Sequence, residues 1–254
     1  MSEIAVQVNG LGKTYRDSSG SSVVGCKNVS FSADYGAIFG ILGTNGAGKT
    51  TLLRMLATMI QPTEGIASVA GFDLCTHAQD VRRSIGFLSA TTGIYGRLTA
   101  REMLHYFAAL HGFEPARAVQ RIAEVTDLLD LHEFLDRRCE KLSTGQRQRV
   151  SIGRTVLHDP PVLIFDEPTS GLDILAAAQI VQFMRESRSR GKCVLLSTHV
   201  MREAELLCDR MILIHQGVVK DTGAVVELQQ RHGSSQLEVV FLRAIGEDSS
   251  AFHD

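Results

Sequence analysis

The glycine-rich segment at residues 43–50 has the spacing from which chemistry can be predicted most directly. It reads GTNGAGKT and fits the pattern G-x-x-x-x-G-K-[ST] at every fixed position. Glycines let consecutive backbone N–H groups point at phosphate oxygens, and a following helix adds the partial positive charge of its N-terminus. Lys49 is then predicted to neutralise nucleotide phosphates and Thr50 to offer its hydroxyl to Mg²⁺. The predicted nucleotide-binding residues are Gly43, Thr44, Asn45, Gly46, Ala47, Gly48, Lys49, Thr50 and Thr51.

Two carboxylates, Asp166 and Glu167, directly follow an apolar run at residues 162–165. Charged groups seldom end a buried strand without a cation or water to meet them. We therefore expect Asp166 to hold Mg²⁺, directly or through water, and Glu167 to act as the base that polarises an attacking water. A solvated turn would be the simpler interpretation of this segment alone, but the upstream phosphate loop favours the catalytic one.

Two further segments could serve the same chemistry. The sequence LSTGQ at residues 142–146 predicts a helix that begins after Ser143, where a hydroxyl, the amide of Gly145 and the helix N-terminus would form a second anion site. Taken alone, Ser143 and Gln146 are more simply a structural capping box. His199 follows an apolar strand and could hydrogen-bond a γ-phosphate, although by itself it is more simply a partly buried structural histidine.

Alternating strand-like and helix-like periodicity predicts the elements that position these residues. Residues 37–42 and 193–197 resemble 162–165 in being short apolar runs, typical of strands buried on both faces of a parallel sheet. Residues 4–8 and 29–33 alternate as in a half-exposed antiparallel sheet. Further strands are predicted at 66–69, 85–88 and 211–215, and the strand at 211–215 is predicted to be the last one in the chain. Helices are predicted at 49–60, 77–83, 115–129 and 173–189, and two more begin near Thr99 and Ser143.

The segment from about residue 97 to 140 changes to amphipathic helices and begins with a capping box, Thr99 to Glu102. We therefore predict an α/β fold: a P-loop NTPase core with a mostly parallel central sheet, an N-terminal antiparallel β subdomain and a helical insertion subdomain. The predicted domain covers residues 1–220, with the helical subdomain inserted at about 90–145. A short C-terminal tail, 221–254, would extend the domain.

Composition limits the class of protein. The chain has 254 residues, enough for one large α/β domain, and its net charge of −2 gives no global basic field to recruit nucleic acid. We see no apolar run of the ~18 residues that a membrane span needs and no secretory signal. Five widely spaced cysteines without a CxxC pair suit reduced, mostly buried thiols. These features predict a cytoplasmic protein.

The order of the motifs resembles that of the nucleotide-binding subunits of ABC transporters. The phosphate loop is followed by LSTGQ, by a strand that ends in Asp-Glu, by SGLD at residues 170–173, and by a strand that ends before His199. The resemblance covers roughly residues 4–220. It implies ATP and Mg²⁺ as cofactors and ATP hydrolysis as the activity, with Lys49, Glu167 and His199 as catalytic residues and Thr50 and Asp166 as metal ligands.

The same resemblance implies an ATP site shared between two subunits. Ser143, Gly145 and Gln146 would complete the ATP site of a second nucleotide-binding subunit, in a homodimer or with a divergent copy. Asp173 would lie in the loop that links the two sites across the dimer. Tyr15 falls where the family has an aromatic ring stacked on adenine, although a Tyr beside a strand is often a packing residue.

One family element is absent from the sequence. The family has a Gln after the strand at residues 85–88, where it contacts Mg²⁺ and senses the membrane partner, and Ala90 stands at that position. Because Mg²⁺ readily keeps water ligands, hydrolysis could survive with a water in place of the amide. The expected consequence of Ala90 is a change in the coupling between partner docking and catalysis.

Residues 53–56, 91–95, 97–102 and 237–242 resemble the NatA-type branch of the family, whose members move sodium ions, drugs or other small molecules outward. This implies an integral membrane permease subunit as partner and a position on the inner face of the cell membrane. Docking would use the helical insertion and residues 90–99, with Tyr95 and Leu98 in an apolar groove or in the core and Phe107 more simply in the core. The cargo is not encoded in this chain.

Other classes remain open at this point. An ABC ATPase outside transport, for example in iron–sulfur cluster assembly, would share the motifs, but the chain has no long coiled coil for DNA repair and no second cassette for ribosome function. Ala90 also permits an ATP-dependent binding switch that does not turn over. A P-loop kinase fits least well, because it would not require LSTGQ or SGLD, and Arg147 and Arg149 are more simply a solvated helix face than a catalytic lid.

Overall fold

The computed structural model describes residues 3–16, 20–89 and 93–247, so Ala90, with its expected effect on coupling, lies outside the described residues. The strands run in the order β1 (Ile4–Arg16), β2 (Ser22–Asp34), β3 (Ile38–Leu42), β4 (Glu64–Val69), β5 (Phe72–Asp73), β6 (Ile85–Leu88), β7 (Val162–Asp166), β8 (Cys193–Thr198), β9 (Arg210–His215) and β10 (Val218–Gly223). The helices are α1 (Lys49–Leu56), α2 (Ala78–Ser84), α3 (Ala100–Leu110), α4 (Pro115–Leu128), α5 (Thr144–Val156), α6 (Ile174–Ser189), α7 (Met201–Leu207), α8 (Val225–His232) and α9 (Leu237–Ile245).

Two sheets form the core of the fold. The larger has the order β10-β9-β3-β8-β7-β6, in which only the β10–β9 pairing is antiparallel. The smaller, β2-β1-β4-β5, is antiparallel throughout. The predicted fold class, a mostly parallel central sheet with an antiparallel N-terminal subdomain, is therefore confirmed.

The strands β3, β7 and β8 are buried along their whole lengths. Alternate side chains enter two different cores: Ile41 and Ile164 pack towards the antiparallel sheet, whereas Leu42 and Phe165 pack towards the helical side. Parallel neighbours bring their carboxyl ends to one edge of a sheet, and ligands bind outside that edge. The loops after β3, β7 and β8 therefore lie where a site is expected.

The helical insertion is built by α3 and α4. The hydroxyl of Thr99 accepts from the backbone N–H of Glu102 at 3.1 Å, and the Glu102 carboxylate accepts from the Thr99 N–H at 2.8 Å, which is the predicted capping box. Met103 and Val125 are fully buried in the core that α3 and α4 share with α5. The insertion is thereby joined to the helix that begins with the LSTGQ segment.

The structure corrects several predicted boundaries. Helix α1 ends at Leu56 rather than at 60, because Thr58 has a φ of 56° that a right-handed helix does not allow. The strand at 211–215 is not the last one, since β10 pairs antiparallel with it. After β10, helices α8 and α9 bury Leu228 and Phe241 in the core on the helical side of the larger sheet. This segment therefore packs on the domain.

None of the helices in the described ranges combines the length and apolarity required to cross a bilayer.

Candidate active site

The loop of residues 43–50 connects the buried end of β3 to the first turn of α1. Gly46 and Gly48 have φ angles of 77° and 102°, in the left-handed region that side chains with a Cβ rarely adopt. A Cβ on Gly48 would overlap the carbonyl oxygen of Gly25, and one on Gly43 would overlap that of Ile214. The glycines are thus required both by backbone conformation and by close approach of neighbouring chain.

Lys49 lies at the first position of α1, with only 4 % of its surface exposed. Its Nζ donates to the carbonyl oxygens of Gly43 at 2.8 Å and Thr44 at 3.1 Å, and lies 3.2 Å from Oε1 of Glu167. These contacts hold the ammonium group at the inner edge of the loop, which is where a phosphate bound by the loop amides would meet it.

Asp166 ends β7 and is 2 % exposed. Its Oδ2 accepts from the Thr50 hydroxyl at 2.8 Å, and its Oδ1 accepts from the Ser197 hydroxyl at 2.5 Å. Because Thr50 belongs to α1 and Ser197 to β8, the aspartate links these two elements to β7. The predicted metal ligands, Thr50 and Asp166, are therefore adjacent oxygen donors of the kind that Mg²⁺ prefers.

Glu167 follows with a φ of 52°, a conformation that is unusual for a side chain of its size. Its backbone N–H donates to the Ser197 carbonyl at 3.1 Å. Its Oε2 lies 3.1 Å from Nδ1 of His199, directly after β8, so the carboxylate stands between His199 and Lys49. The side chain of His199 is 41 % exposed, so the imidazole is partly buried and still reachable from solvent.

A cavity of about 430 Å³ lies over these groups. The Tyr15 ring lines it beside Gly25, and the Tyr15 hydroxyl lies 3.4 Å from Oγ1 of Thr51. Val23, Val24 and Gly25 of β2 also line the cavity and were not predicted from the sequence. Val23 and Val24 are 59 % and 50 % exposed in the structure, and no local motif marks them as lining residues. The full lining is Tyr15, Val23, Val24, Gly25, Asn45, Gly46, Ala47, Gly48, Lys49, Thr50, Thr51, Asp166 and Glu167.

Other predicted site residues do not line this cavity. Ser143 is exposed and caps α5 in a complete capping box with Gln146, with N···O distances of 3.2 and 3.0 Å. Asp173 caps α6 by accepting from the Ala176 N–H at 2.9 Å. Gly145 packs on that helix, since a Cβ placed on it would lie 2.6 Å from the Ala176 Cβ. The first turns of α5 and α6 are therefore adjacent and separate from the phosphate loop of the same chain.

The prediction that Arg149 lies on a solvated face of α5 is wrong. Its side chain is 13 % exposed, its guanidinium carbon lies 4.8 Å from the centroid of the Phe134 ring, and it donates to the Asp130 carbonyl at 2.8 Å. This arginine ties α5 to the end of the helical insertion and does not face the phosphate loop.

An aromatic surface marks the predicted docking region. The rings of Tyr95 and Tyr106 meet edge to face with centroids 5.7 Å apart, and the two residues are 55 % and 44 % exposed. They line a cavity of about 500 Å³ together with Leu98. Phe107 packs against the main core, as predicted.

Four of the five cysteines are buried, and burial raises the pKa of the Cys26 thiol to about 11 and that of the Cys193 thiol to about 12. These thiols stay protonated and pack as small apolar groups.

Known proteins resemble this chain closely. The ABC transporter family model matches residues 26–170, which is more than half of the chain. The ABC transporter ATP-binding protein NatA of Bacillus subtilis is 39 % identical over 217 residues, covering 85 % of this chain and 88 % of NatA. The doxorubicin resistance ATP-binding protein DrrA of Mycobacterium tuberculosis is 35 % identical over 238 residues, covering 94 % of this chain and 71 % of DrrA. The ATP-binding cassette MJ0796, solved as a dimer in a post-hydrolysis state with ADP and Pi, superposes with a TM-score of 0.77 at 26 % identity, covering 86 % of this chain and 98 % of that one.

Proposed function

The chain belongs to the ABC transporter family as an ATP-binding subunit that hydrolyses ATP, and from this we propose which residues carry out the reaction and how. Lys49 and the amides of residues 43–50 bind the β- and γ-phosphates. Glu167 orients and polarises the attacking water, and His199 supports the charge that develops on the γ-phosphate. The observation that carries this assignment is the Glu167 carboxylate, held 3.2 Å from Lys49 and 3.1 Å from His199.

The metal requirement fits the same geometry. The Thr50 hydroxyl and the Asp166 carboxylate are oxygen donors 2.8 Å apart at the mouth of the phosphate loop. Thr50 and Asp166 would hold a Mg²⁺ ion, which would supply positive charge to offset that of the phosphates. Ser197 fixes the second Asp166 oxygen at 2.5 Å, so the metal-facing oxygen keeps its orientation.

Tyr15 is proposed to stack on the adenine ring. The ring is 37 % exposed, lines the phosphate cavity and is fixed by its contact with Thr51. Stacking of an aromatic side chain on a nucleobase contributes about 1–3 kcal/mol.

ATP-binding subunits of this family dimerise and pair with membrane permeases. We propose that this chain forms a homodimer in which Ser143, Gly145 and Gln146 face the γ-phosphate held by the partner, with Asp173 between the two sites. The exposed N-termini of α5 and α6 support this arrangement, because they present N–H groups and partial positive charge to solvent, away from the phosphate loop of their own chain.

The membrane partner and the cargo belong to the same proposal. The aromatic surface of Tyr95, Leu98 and Tyr106 would receive a permease segment, which would hold the chain on the cytoplasmic face of the membrane. The likeness to NatA and to a doxorubicin resistance protein favours export of sodium ions or small molecules over a role in iron–sulfur cluster assembly or a non-hydrolytic switch. Crosslinks from Tyr95 that never reach a membrane protein, while other surfaces do, would count against this docking site.

The reaction assignment is tested by Glu167→Gln, which keeps the size of the side chain and removes its basicity. We expect phosphate release to fall by about 10²–10⁴-fold, the range for loss of a general base, while ATP binding persists. Glu133→Gln, at an exposed position in the short 3-10 helix His132–Phe134, is the matched control and should keep wild-type turnover. Wild-type turnover by Glu167→Gln with normal ATP binding would show that another group activates the water.

A further inference from the structure

The carboxylate of Glu203 lies beneath the candidate site, although nothing in the reaction described above uses it. Glu203 is in helix α7 and is 8 % exposed. Its Oε2 accepts from the Thr198 hydroxyl at 2.6 Å and its Oε1 accepts from the Thr169 hydroxyl at 2.8 Å. Thr198 directly precedes His199, and Thr169 lies two residues after Glu167, so one buried carboxylate binds both loops that carry the reactive side chains.

The hydroxyl of Thr198 makes two hydrogen bonds. It donates to Glu203 and also accepts from the backbone N–H of Val200 at 3.0 Å. These two hydrogen bonds enclose His199 in a short turn between β8 and α7. The orientation of the His199 imidazole therefore depends on a hydroxyl whose own direction is set by Glu203.

The loop after Glu167 is held in a similar way. Its Pro168 carbonyl accepts from Nε2 of Gln148 at 2.6 Å on the side of α5, and its Thr169 hydroxyl donates to Glu203 on the side of α7. Glu167 itself has a φ of 52°, a conformation that costs of order 1–3 kcal/mol and persists only where the surroundings enforce it. Glu203 anchors Thr169, two residues after this strained position.

A buried carboxylate carries a desolvation cost that its two hydrogen bonds to neutral hydroxyls offset only in part. Apolar packing would hold α7 against the sheet at least as well. The charge is therefore better explained by the geometry that it imposes on two loops than by a contribution to the free energy of unfolding.

We propose that Glu203 is a positioning residue that sets the distance and orientation of His199 relative to Glu167, and thereby the rate of ATP hydrolysis. The proposal rests on the roles assigned above to Glu167 and His199. Because Glu203 touches neither loop's reactive atoms nor the phosphate cavity, its substitution should lower kcat and leave ATP binding nearly unchanged.

The central experiment compares Glu203→Gln and Glu203→Ala in ATP turnover and ATP binding. A misplacement of about 1 Å can cost about 10²-fold in rate, so we expect kcat to fall by about 10–100-fold in Glu203→Ala, with KM for ATP within about three-fold of wild type. Glu203→Gln should recover part of the loss, because its amide oxygen still accepts from one threonine and its NH₂ group donates to the other.

Glu205→Gln is the matched control on the same helix. Its carboxylate accepts from the Leu237 N–H at 3.2 Å, towards α9 and away from both reactive loops. We expect wild-type kcat in this variant. If it lowers kcat as much as Glu203→Gln does, the effect belongs to α7 in general and the proposal is wrong.

Four substitutions, two at each threonine, leave the Glu203 carboxylate in place. Thr169→Val and Thr198→Val keep the side-chain shape and delete one hydrogen bond each, whereas Thr169→Ser and Thr198→Ser keep the hydroxyl. We expect lower kcat only in the valine variants, and effects that fail to add when each is combined with Glu203→Gln. These variants keep the proposal testable should Glu203→Ala not fold.

A spectroscopic measurement separates positioning from stability. In ¹H–¹⁵N spectra of the histidine side chains, the Glu203 and Thr198 variants should shift the His199 imidazole signals, because its 3.1 Å contact with Glu167 changes. Unshifted His199 signals, or kcat within two-fold of wild type in Glu203→Gln and Glu203→Ala, would overturn the proposal. Loss of turnover in Glu167→Gln together with wild-type turnover in the Glu203 variants would leave the proposed function standing and remove this inference alone.

Discussion

Oε1 of Glu167 lies 3.2 Å from Nζ of Lys49, so the candidate base and the candidate phosphate ligand form an ion pair within one chain. The phosphates of ATP carry the same sign of charge as Glu167 and would approach the same ammonium group. Binding and hydrolysis are therefore linked through Lys49, because any phosphate that it holds is brought next to the carboxylate that activates water.

Substitution of Lys49 by methionine should weaken ATP binding strongly. Hydrogen bonds to a charged donor contribute about 1.5–3 kcal/mol, which corresponds to a loss of roughly 10–100-fold in affinity. Isothermal titration calorimetry with ATP and Mg²⁺ measures the change. Lys192→Met is the control, because Lys192 binds Asp159 and the Pro160 carbonyl at 2.8 and 2.7 Å, far from the loop. An affinity of Lys49→Met within two-fold of wild type would contradict the assignment.

The shared site predicts that Ser143 acts on the ATP of a partner chain. Ser143→Asp keeps a good helix cap but adds a carboxylate, which would oppose the γ-phosphate across the dimer. In a Glu167→Gln background, where ATP persists, we expect ATP-dependent dimerisation to weaken at least about ten-fold. Sedimentation velocity with ATP measures the dimer, and the capping, neutral Ser143→Asn should dimerise normally.

ATP binding by the isolated Ser143→Asp chain should remain unchanged, because Ser143 does not line the phosphate cavity of its own chain. A loss of monomer affinity with unchanged dimerisation would place Ser143 in its own site and refute the shared arrangement.

The stability of the fold should fall in mild acid through a pair of stacked histidines. The rings of His111 and His158 lie 4.1 Å apart, and Arg82 and Arg154 line the same cavity. Burial, with the nearby charges of His111, Lys192 and Arg121, lowers the pKa of His158 from 6.5 to about 4, and burial also lowers that of His111. The unfolded chain therefore binds more protons in this range, so the stabilisation is complete above pH 6.5 and is lost as the pH falls towards 4.

Urea unfolding at pH 7.5 and pH 5 measures this effect. Between these two pH values, the full linkage value for a pKa of 6.5 in the unfolded chain and about 4 in the folded one is about 2 kcal/mol. After allowance for solvent screening, we expect His158→Gln to remove about 1 kcal/mol of the pH-dependent difference. His132→Gln is the control, because His132 is 63 % exposed and pairs with Asp127. Equal pH dependence in wild type and His158→Gln would show that His158 does not determine it.

The parts of the site that depend on local spacing were predictable from the sequence. The phosphate loop needs glycines at fixed positions because its backbone turns through left-handed conformations, and the carboxylates at the end of β7 follow an apolar run that a buried strand requires. Both features are encoded within a few residues. The capping boxes at Thr99 and Ser143 are local in the same sense.

Features that depend on distant contacts were not predictable. After its first two valines, strand β10 consists of polar residues and a glycine, so its own sequence hardly predicts a strand. The strand forms because it pairs with β9. Glu203 looks like any charged residue of a short helix. Its role depends on contacts with Thr198, which is near in sequence, and with Thr169, which is 34 residues away. Arg149 similarly looks solvated until Phe134 covers it.

The left-handed backbone at Glu167 has a consequence for engineering. Glycine at this position would relieve the conformational cost of about 1–3 kcal/mol, so a selection for thermostable variants in the presence of ATP, whose phosphates would replace Glu167 as the partner of Lys49, would favour it. The same substitution deletes the carboxylate that the chemistry needs. A stability screen of this protein would therefore enrich inactive variants at this position, and their high thermal stability would not indicate ATPase activity.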